Sequence, residues 1–354
     1  MRDITRYTSC MKSTALRALV ASTALAFGIA SLASCGSKSS GGTTPNNNGV
    51  TSNVCTGSGV CELAHVPVWP HAIAIDGSNI YWVCSLASSS GVVKEPLGGG
   101  PVTVLASQQG GEALALDDTF VYWTGGGTDS HAVMKVAKAG GDPVTIAAGE
   151  SGPLGIAVNA SAIFWANFGD SSGEGRAVRT APIAGGDPST LVADTYGPGS
   201  IALDATHVYW SDNASVDDAV SIASAPLAGG QESVVAPGGG QSFSMVLDGS
   251  DLYWADYYHG TINKISVNGG PIITLASGQT NAAGIAVDDA NIYWTTAGYG
   301  TTGTVMKMPK DATLDAGAST TIASYQGQPW AIAVDANSVY WSDLTGVIFK
   351  SSPK

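Results

Sequence analysis

The stretch "AIAVDANSVYW", Ala331–Trp341, decides the fold because the chain writes it seven times. The other copies are "AIAIDGSNIYW" (Ala72–Trp82), "ALALDDTFVYW" (Ala113–Trp123), "GIAVNASAIFW" (Gly155–Trp165), "SIALDATHVYW" (Ser200–Trp210), "SMVLDGSDLYW" (Ser244–Trp254) and "GIAVDDANIYW" (Gly284–Trp294). Each begins with a small residue and an alternating apolar run, passes through a short Asp/Asn/Gly/Ser turn, and ends in an aromatic pair. That is a hairpin of two short strands.

A third strand follows, as in "GTVMKMP", "GTINKIS" and "GVIFKSS", then in most units a Gly-Gly turn and a fourth strand such as "PVTVLA" or "PIITLA". Four strands in a period of about 40 to 47 residues is the signature of a propeller blade. Helical periodicity is absent from the body, so the expected fold is all-β, a seven-bladed β-propeller with four-stranded antiparallel blades over residues 55–354. The seventh unit stops at "VIFKSSPK" with no fourth strand. The N-terminal piece "GVCELAHVPVWPHAIAID" aligns with a fourth strand that has no first three. The strand at about Val60 to Ala64 is therefore expected to complete the last blade and remove the open edge of the ring.

Tyr-Trp-Ser/Ala-Asp at Tyr209–Asp212, Tyr253–Asp256 and Tyr340–Asp343 resembles the YWTD propeller repeat of low-density-lipoprotein-receptor proteins. The pattern is also similar to NHL-type repeats and to predicted bacterial lipoproteins built from such repeats. The resemblance covers the chain from about residue 60 to its end and implies a propeller. The receptor domains have six blades, and the fourth motif position is lost in several units here, as in Val83-Cys84 and Thr295-Thr296, so no receptor binding surface is carried over.

Ahead of the repeats, Arg2, Arg6, Lys12 and Arg17 precede the apolar run "ALVASTALAFGIA" and then "LASC" at Leu32–Cys35. The run is shorter than the roughly 20 residues of a membrane span and contains Ser and Thr. It reads as an export signal, residues 1–34. Leu-Ala-Ser-Cys resembles the lipobox of bacterial lipoproteins, which implies lipidation of Cys35; Gly36 after it favours the outer membrane of the cell envelope. Translation starts at Met1 or Met11. Residues 35–54 are a Gly/Ser/Thr/Asn tether with a reach of roughly 25 Å.

Beyond the leader, eleven Lys and Arg stand against twenty-seven Asp and Glu, a net charge of −16. Nucleic acid is excluded as a partner by the absence of basic stripes, and membrane attachment is expected through the N-terminal lipid only. Cys55, Cys61 and Cys84 remain in the body. An exported chain permits disulfides; proximity favours Cys55 with Cys61, and Cys61 with Cys84 is the competing pair.

What repeats is read as architecture. The turn acids Asp76, Asp117, Asp204, Asp248, Asp288 and Asp335, with Asn159 in the remaining unit, are expected to cap backbone N–H groups. The tryptophans are expected to pack blade on blade, and Lys94, Lys135, Lys264, Lys307 and Lys350 to lie along solvated strand surface. Function is sought in what does not repeat. Just before the first strands stand His71, Glu112, Leu154, Gly199, Phe243, Ala283 and Trp330, near the axial mouth.

The same face carries Trp69, Tyr196, Tyr257, Tyr258, Tyr299, Tyr325 and Trp330, with Gln108, Gln109, Gln241, Gln279, Gln326 and Gln328 between them. Aromatics among amides suit recognition of a protein or glycan. The expected binding face is therefore Trp69, His71, Glu112, Tyr196, Tyr257, Tyr258, Tyr299 and Trp330, on a monomeric interaction module of the envelope. The competing expectation is a metal-assisted hydrolase or lyase using His71 and Glu112 at the mouth. No Ser-His-Asp arrangement is argued, because the five histidines occupy unrelated positions in their units. No cofactor is expected; calcium is considered for the acidic loops "NFGDSSGEG" and "SDNASVDD" through oxygen ligands.

Overall fold

The computed structural model describes residues 51–66, 69–84, 91–107, 109–125, 131–213, 221–298, 300–312 and 319–354. The leader, Cys35, Gln108, Tyr299 and most of the "SDNASVDD" loop lie outside these residues. The described residues form strands and turns with no helix, arranged as seven antiparallel sheets. Blade 1 is Pro70–Ile75, Asn79–Cys84, Gly91–Pro96 and Thr103–Ser107, hydrogen-bonded in chain order from inner to outer strand. Blades 2 to 6 repeat this plan. Each inner strand packs against the next, and that of blade 7 against that of blade 1, so the sheets close into a ring.

Blade 7 takes its first three strands, Pro329–Val334, Val339–Asp343 and Val347–Ser352, from the C-terminus. Its fourth is Gly59–His65, antiparallel to the last, with Gly59 opposite Ser352 and His65 opposite Val347. This is the expected closing strand, one residue longer at each end. A fifth strand, Thr51–Ser52, pairs outside it, so the sheet takes in the last residues of the stretch read as tether. Ser52 Oγ donates to the Gly100 carbonyl at 2.6 Å and Cys55 N–H to Gly98 at 3.1 Å, which ties this arm to blade 1. A disulfide joins Cys55 to Cys61, and Cys84 is a buried free thiol.

Strand alternation sends the Tyr and the Trp of each pair to opposite faces. The tryptophans of the seven aromatic pairs are all fully buried. Tyr81 of blade 1 shares a cluster with Trp123 of blade 2, Tyr122 with Trp165, Phe164 with Trp210, and so on round the ring to Tyr340 with Trp82. The seven hydrophobic clusters are thus the seven blade interfaces, and the core is a ring of seams.

Five of the six turn acids cap as expected; Asp248 instead continues its strand, opposite Asp251, and its carboxylate pairs with Lys310. Asp204 Oδ1 accepts from Thr206 and His207 N–H, both at 2.6 Å, and Oδ2 accepts from Tyr209 OH at 2.6 Å. The same tyrosine bond recurs at Asp76, Asp117, Asp288 and Asp335. Asn159 caps Ser161 and Ala162 N–H at 2.9 Å, and in that unit the tyrosine is Phe164. Acceptor and hydroxyl are lost together.

The third-strand lysines differ from expectation. In Lys94, Lys135 and Lys350 the stem lies along the strand and the ammonium group crosses to the neighbouring blade. Lys94 donates to Lys138 O at 2.6 Å, Lys135 to Ile183 O at 3.3 Å and Lys350 to Leu97 O at 2.8 Å. Lys350 also sits over the Tyr340 ring and Lys135 over Phe120. These three are cross-links between blades, whereas Lys264 pairs with Asp251 of its own blade at 3.5 Å.

Candidate functional site at the axial mouth

A β-bulge near the start of the inner strand builds the mouth. In blade 7 Pro329 faces Asp343 and Ile332 faces Trp341, which leaves one extra residue in the stretch holding Trp330 and Ala331. Blades 3 to 6 carry the same irregularity, and in blade 1 the extra residue is His71. A bulge bends the strand and re-aims a side chain, here the one position that varies most between units.

The following small residue is set by crowding. A Cβ on Gly155 would lie 2.3 Å from the Gly199 carbonyl of the next inner strand, and one on Gly284 2.3 Å from the Trp330 carbonyl. Hydroxyls lock the same region. Ser211 Oγ accepts from Ser200 N–H and donates to Ser242 O of the next blade at 2.9 Å; Thr295 Oγ1 accepts from Gly284 N–H and donates to Trp330 O at 2.7 Å. Thr124 Oγ1 likewise donates to Leu154 O. This is the role of the Ser/Thr after Tyr-Trp, which the sequence analysis leaves unassigned; its recurrence in four of the seven units, as Thr124, Ser211, Thr295 and Ser342, is the available signal.

The mouth has two unlike halves. On blades 1 and 2, His71 Nδ1 and Glu112 Oε2 are 2.8 Å apart, with side chains 24% and 38% exposed. On blades 5 and 7, Phe243 and Trp330 meet at 5.8 Å between ring centroids, above the buried Ala283 of blade 6. Tyr257, from the second-to-third loop of blade 5, lies 5.3 Å from Phe243 edge-on and 6.0 Å from Trp330, and Tyr258 is 5.4 Å from Tyr257. Rings from blades two apart touch only because the inner strands converge.

The structure therefore brings together His71 with Glu112, and Tyr257 and Tyr258 with Trp330. Trp69 is half-buried and Tyr196 is 59% exposed; neither joins a ring cluster among the described residues. Phe243, which stands near the mouth but is not on the expected binding face, joins the aromatic group. Two of the amides read as surface donors are structural: Gln279 Oε1 accepts from Trp294 Nε1 at 2.8 Å and Gln326 Oε1 from Trp341 Nε1 at 3.2 Å. Glu150 does the same for Trp165 at 2.9 Å. The acceptor stands fifteen residues ahead of each indole, a spacing that crosses unit boundaries.

The acidic loop at residues 167–175 closes on itself: Asp170 Oδ1 accepts from Ser172 N–H, Ser172 Oγ–H and Glu174 N–H at 2.6 to 3.0 Å. Those bonds hold the Asp170 carboxyl below its ordinary range. Among the described residues no three His, Cys, Asp or Glu side chains gather as a metal site.

No family model matches the chain, and no curated protein matches its sequence. Solved structures do match in shape. Virginiamycin B lyase from Staphylococcus aureus superposes with a TM-score of 0.66 at 13% identity, over 82% of this chain and 98% of that one. The WD40 β-propeller domain of Doa1 gives 0.62 at 12% identity, over 84% and 96%. A chain of a nidogen/laminin complex gives 0.51 at 17% identity, over 78% and 97%. These likenesses identify the fold, a propeller of repeated blades.

Proposed function

We propose that the chain is a propeller of YWTD/NHL type, exported and lipid-anchored through Cys35, that serves as an interaction module at the bacterial cell envelope, on the outer membrane. Its partner is an envelope protein or glycan, met by the loop face; the module uses no cofactor and works as a monomer. The observation that carries this reading is the aromatic group of Phe243, Tyr257, Tyr258 and Trp330, assembled from non-adjacent blades at the mouth. Large rigid rings with polar tips supply binding energy at small entropic cost. The propeller solved in the nidogen/laminin complex is a precedent for a protein partner on this fold.

The test is capture from solubilised envelope by the full chain against a W330A/Y257A variant with the same melting temperature. Specific partners held by the wild type and released by the variant are expected; an identical set on both would sink the reading.

A second reading rests on His71 and Glu112. A carboxylate on Nδ1 orients an imidazole and leaves Nε2 as a base, and a lyase is among the structural neighbours. Metal-assisted hydrolysis or elimination at this dyad, or a calcium site in the acidic loops, requires that chelator lower the melting temperature and that one divalent ion restore it. Under the interaction reading neither treatment moves it.

A further inference from the structure

Sixteen residues ahead of the Tyr-Trp tryptophan, five consecutive blade junctions place a residue in left-handed backbone. Three use glycine, Gly149, Gly238 and Gly278, at φ of 70°, 70° and 71°, and one uses Asp194 at 57°. The fifth is Tyr325, also at 57°. Glycine adopts this conformation without cost and Asp tolerates it, whereas a bulky side chain there is an outlier. Tyr325 is 85% exposed, and its side chain has no hydrogen bond, ion pair or ring contact with any described residue. The fold asks for glycine at this position, and nothing inside the molecule rewards tyrosine.

Tyr325 has company. Tyr196, 59% exposed, follows Asp194 at the corresponding junction of blades 3 and 4, and Tyr258, 54% exposed, crowns the second-to-third loop of blade 5. Both kinds of loop open on the side where the inner strands begin, so the three tyrosines rim the mouth face. Charge divides between the faces. Every lysine from Lys94 to Lys354 lies towards the opposite side, on the far half of a third strand, beside a third-to-outer turn or at the C-terminus. There Lys138 pairs with Asp76, Lys310 with Asp248 and Lys354 with Asp288. The mouth side keeps Glu112, Asp170, Glu174 and Asp194 with no lysine; of its two arginines, Arg179 is paired with Glu150 at 3.4 Å.

We propose that the exposed tyrosine rim, with Tyr325 as its anchor, docks a basic polypeptide segment whose Lys or Arg side chains lie over the rings. Cation–π contact and the lysine-free acidic face supply the complementarity. The proposal rests on the interaction-module reading and narrows its partner to a basic protein.

The test uses the full chain in mild detergent with three probes: deca-arginine, deca-glutamate and soluble peptidoglycan fragments. Wild type is expected to bind deca-arginine only, more weakly as salt rises. Y325G is expected to bind it at least about fivefold more weakly, with a melting temperature unchanged or raised by up to about 2 °C. Equal binding by Y325G, or a lowered melting temperature that makes Tyr325 a structural residue, would overturn the proposal. Binding of peptidoglycan but not deca-arginine, or of none of the three, would overturn the basic partner and leave the interaction reading to the Trp330 variant.

Discussion

The pairing of turn acid and tyrosine shows how much a single residue's neighbours decide. Burial opposes ionisation of Asp204, but bonds from Tyr209 OH and from Thr206 and His207 N–H outweigh it and hold the carboxyl at about 2. Asp288 sits at about 2 for the same reasons with Lys354 added, and Asp76 lies lower still. A depressed acid contributes stability that is complete above its unfolded value, near 3.8, and lost as pH falls through the folded value. The melting temperature should therefore fall between about pH 4 and 2 as these carboxylates protonate, whereas the buried Glu95, whose carboxyl burial pushes up to about 8, works the other way and adds stability as pH falls from about 8 to about 4.5. D204N should cost about 1 kcal/mol at pH 7, and D204N/Y209F should recover most of it, because removing both partners leaves no unpaired group. The recovered double variant is what Asn159 and Phe164 already are. Urea titrations at pH 7 and 3 would check this; a double variant no better than D204N would refute the pairing.

At the level of the strand, the closing element is short and depends on its fastening. The bond from Cys55 to Cys61 encloses a small loop, so C55S/C61S should lower stability by roughly 2 kcal/mol, read as a shifted urea midpoint, and reductant should reproduce it on the wild type. Burial pushes the Cys84 thiol up to about 12, so it should stay inert to thiol reagents until the protein unfolds. An unmoved midpoint would mean that the arm is held by its hydrogen bonds to blade 1 alone. The strand itself was legible because "VCELA" keeps the apolar alternation of a fourth strand at the right distance from the first repeat. Thr51–Ser52 was not, since two polar residues carry no pattern, and their pairing is set by the arm's attachment to the Gly98–Gly100 turn. The same limit explains the lysines and glutamines. Alternation tells which way a side chain leaves its strand, but not that Lys350 reaches Leu97 or that Gln326 meets an indole fifteen residues on.

For the molecule as a whole, seven-fold repetition made the architecture readable, and the site was readable only as departures from the repeat. His71, Glu112 and Trp330 stood out by position. Their division into a polar half and an aromatic half did not, because it depends on which inner strands converge and on the small Ala283 between Phe243 and Trp330. Deleting residues 51–65 should leave blade 7 three-stranded and the ring unsealed. The expected result is a broad melt at lower temperature and early proteolysis of residues 329–354, since each blade is stable only between neighbours. A sharp melt near that of the full chain would show that three strands suffice.

The pairing of Gly59 with Ser352 has a consequence in time. The strand that seals the ring is the first of the propeller to be synthesised, and its partner, Val347–Ser352, is the propeller's last. Until Val347–Ser352 emerges, the early strand lacks its partner in blade 7 and blade 1 waits beside an empty seam. Domains usually fold as they are made; this propeller can close only once its seventh blade is available, which keeps the ring unsealed until Val347–Ser352 has been made.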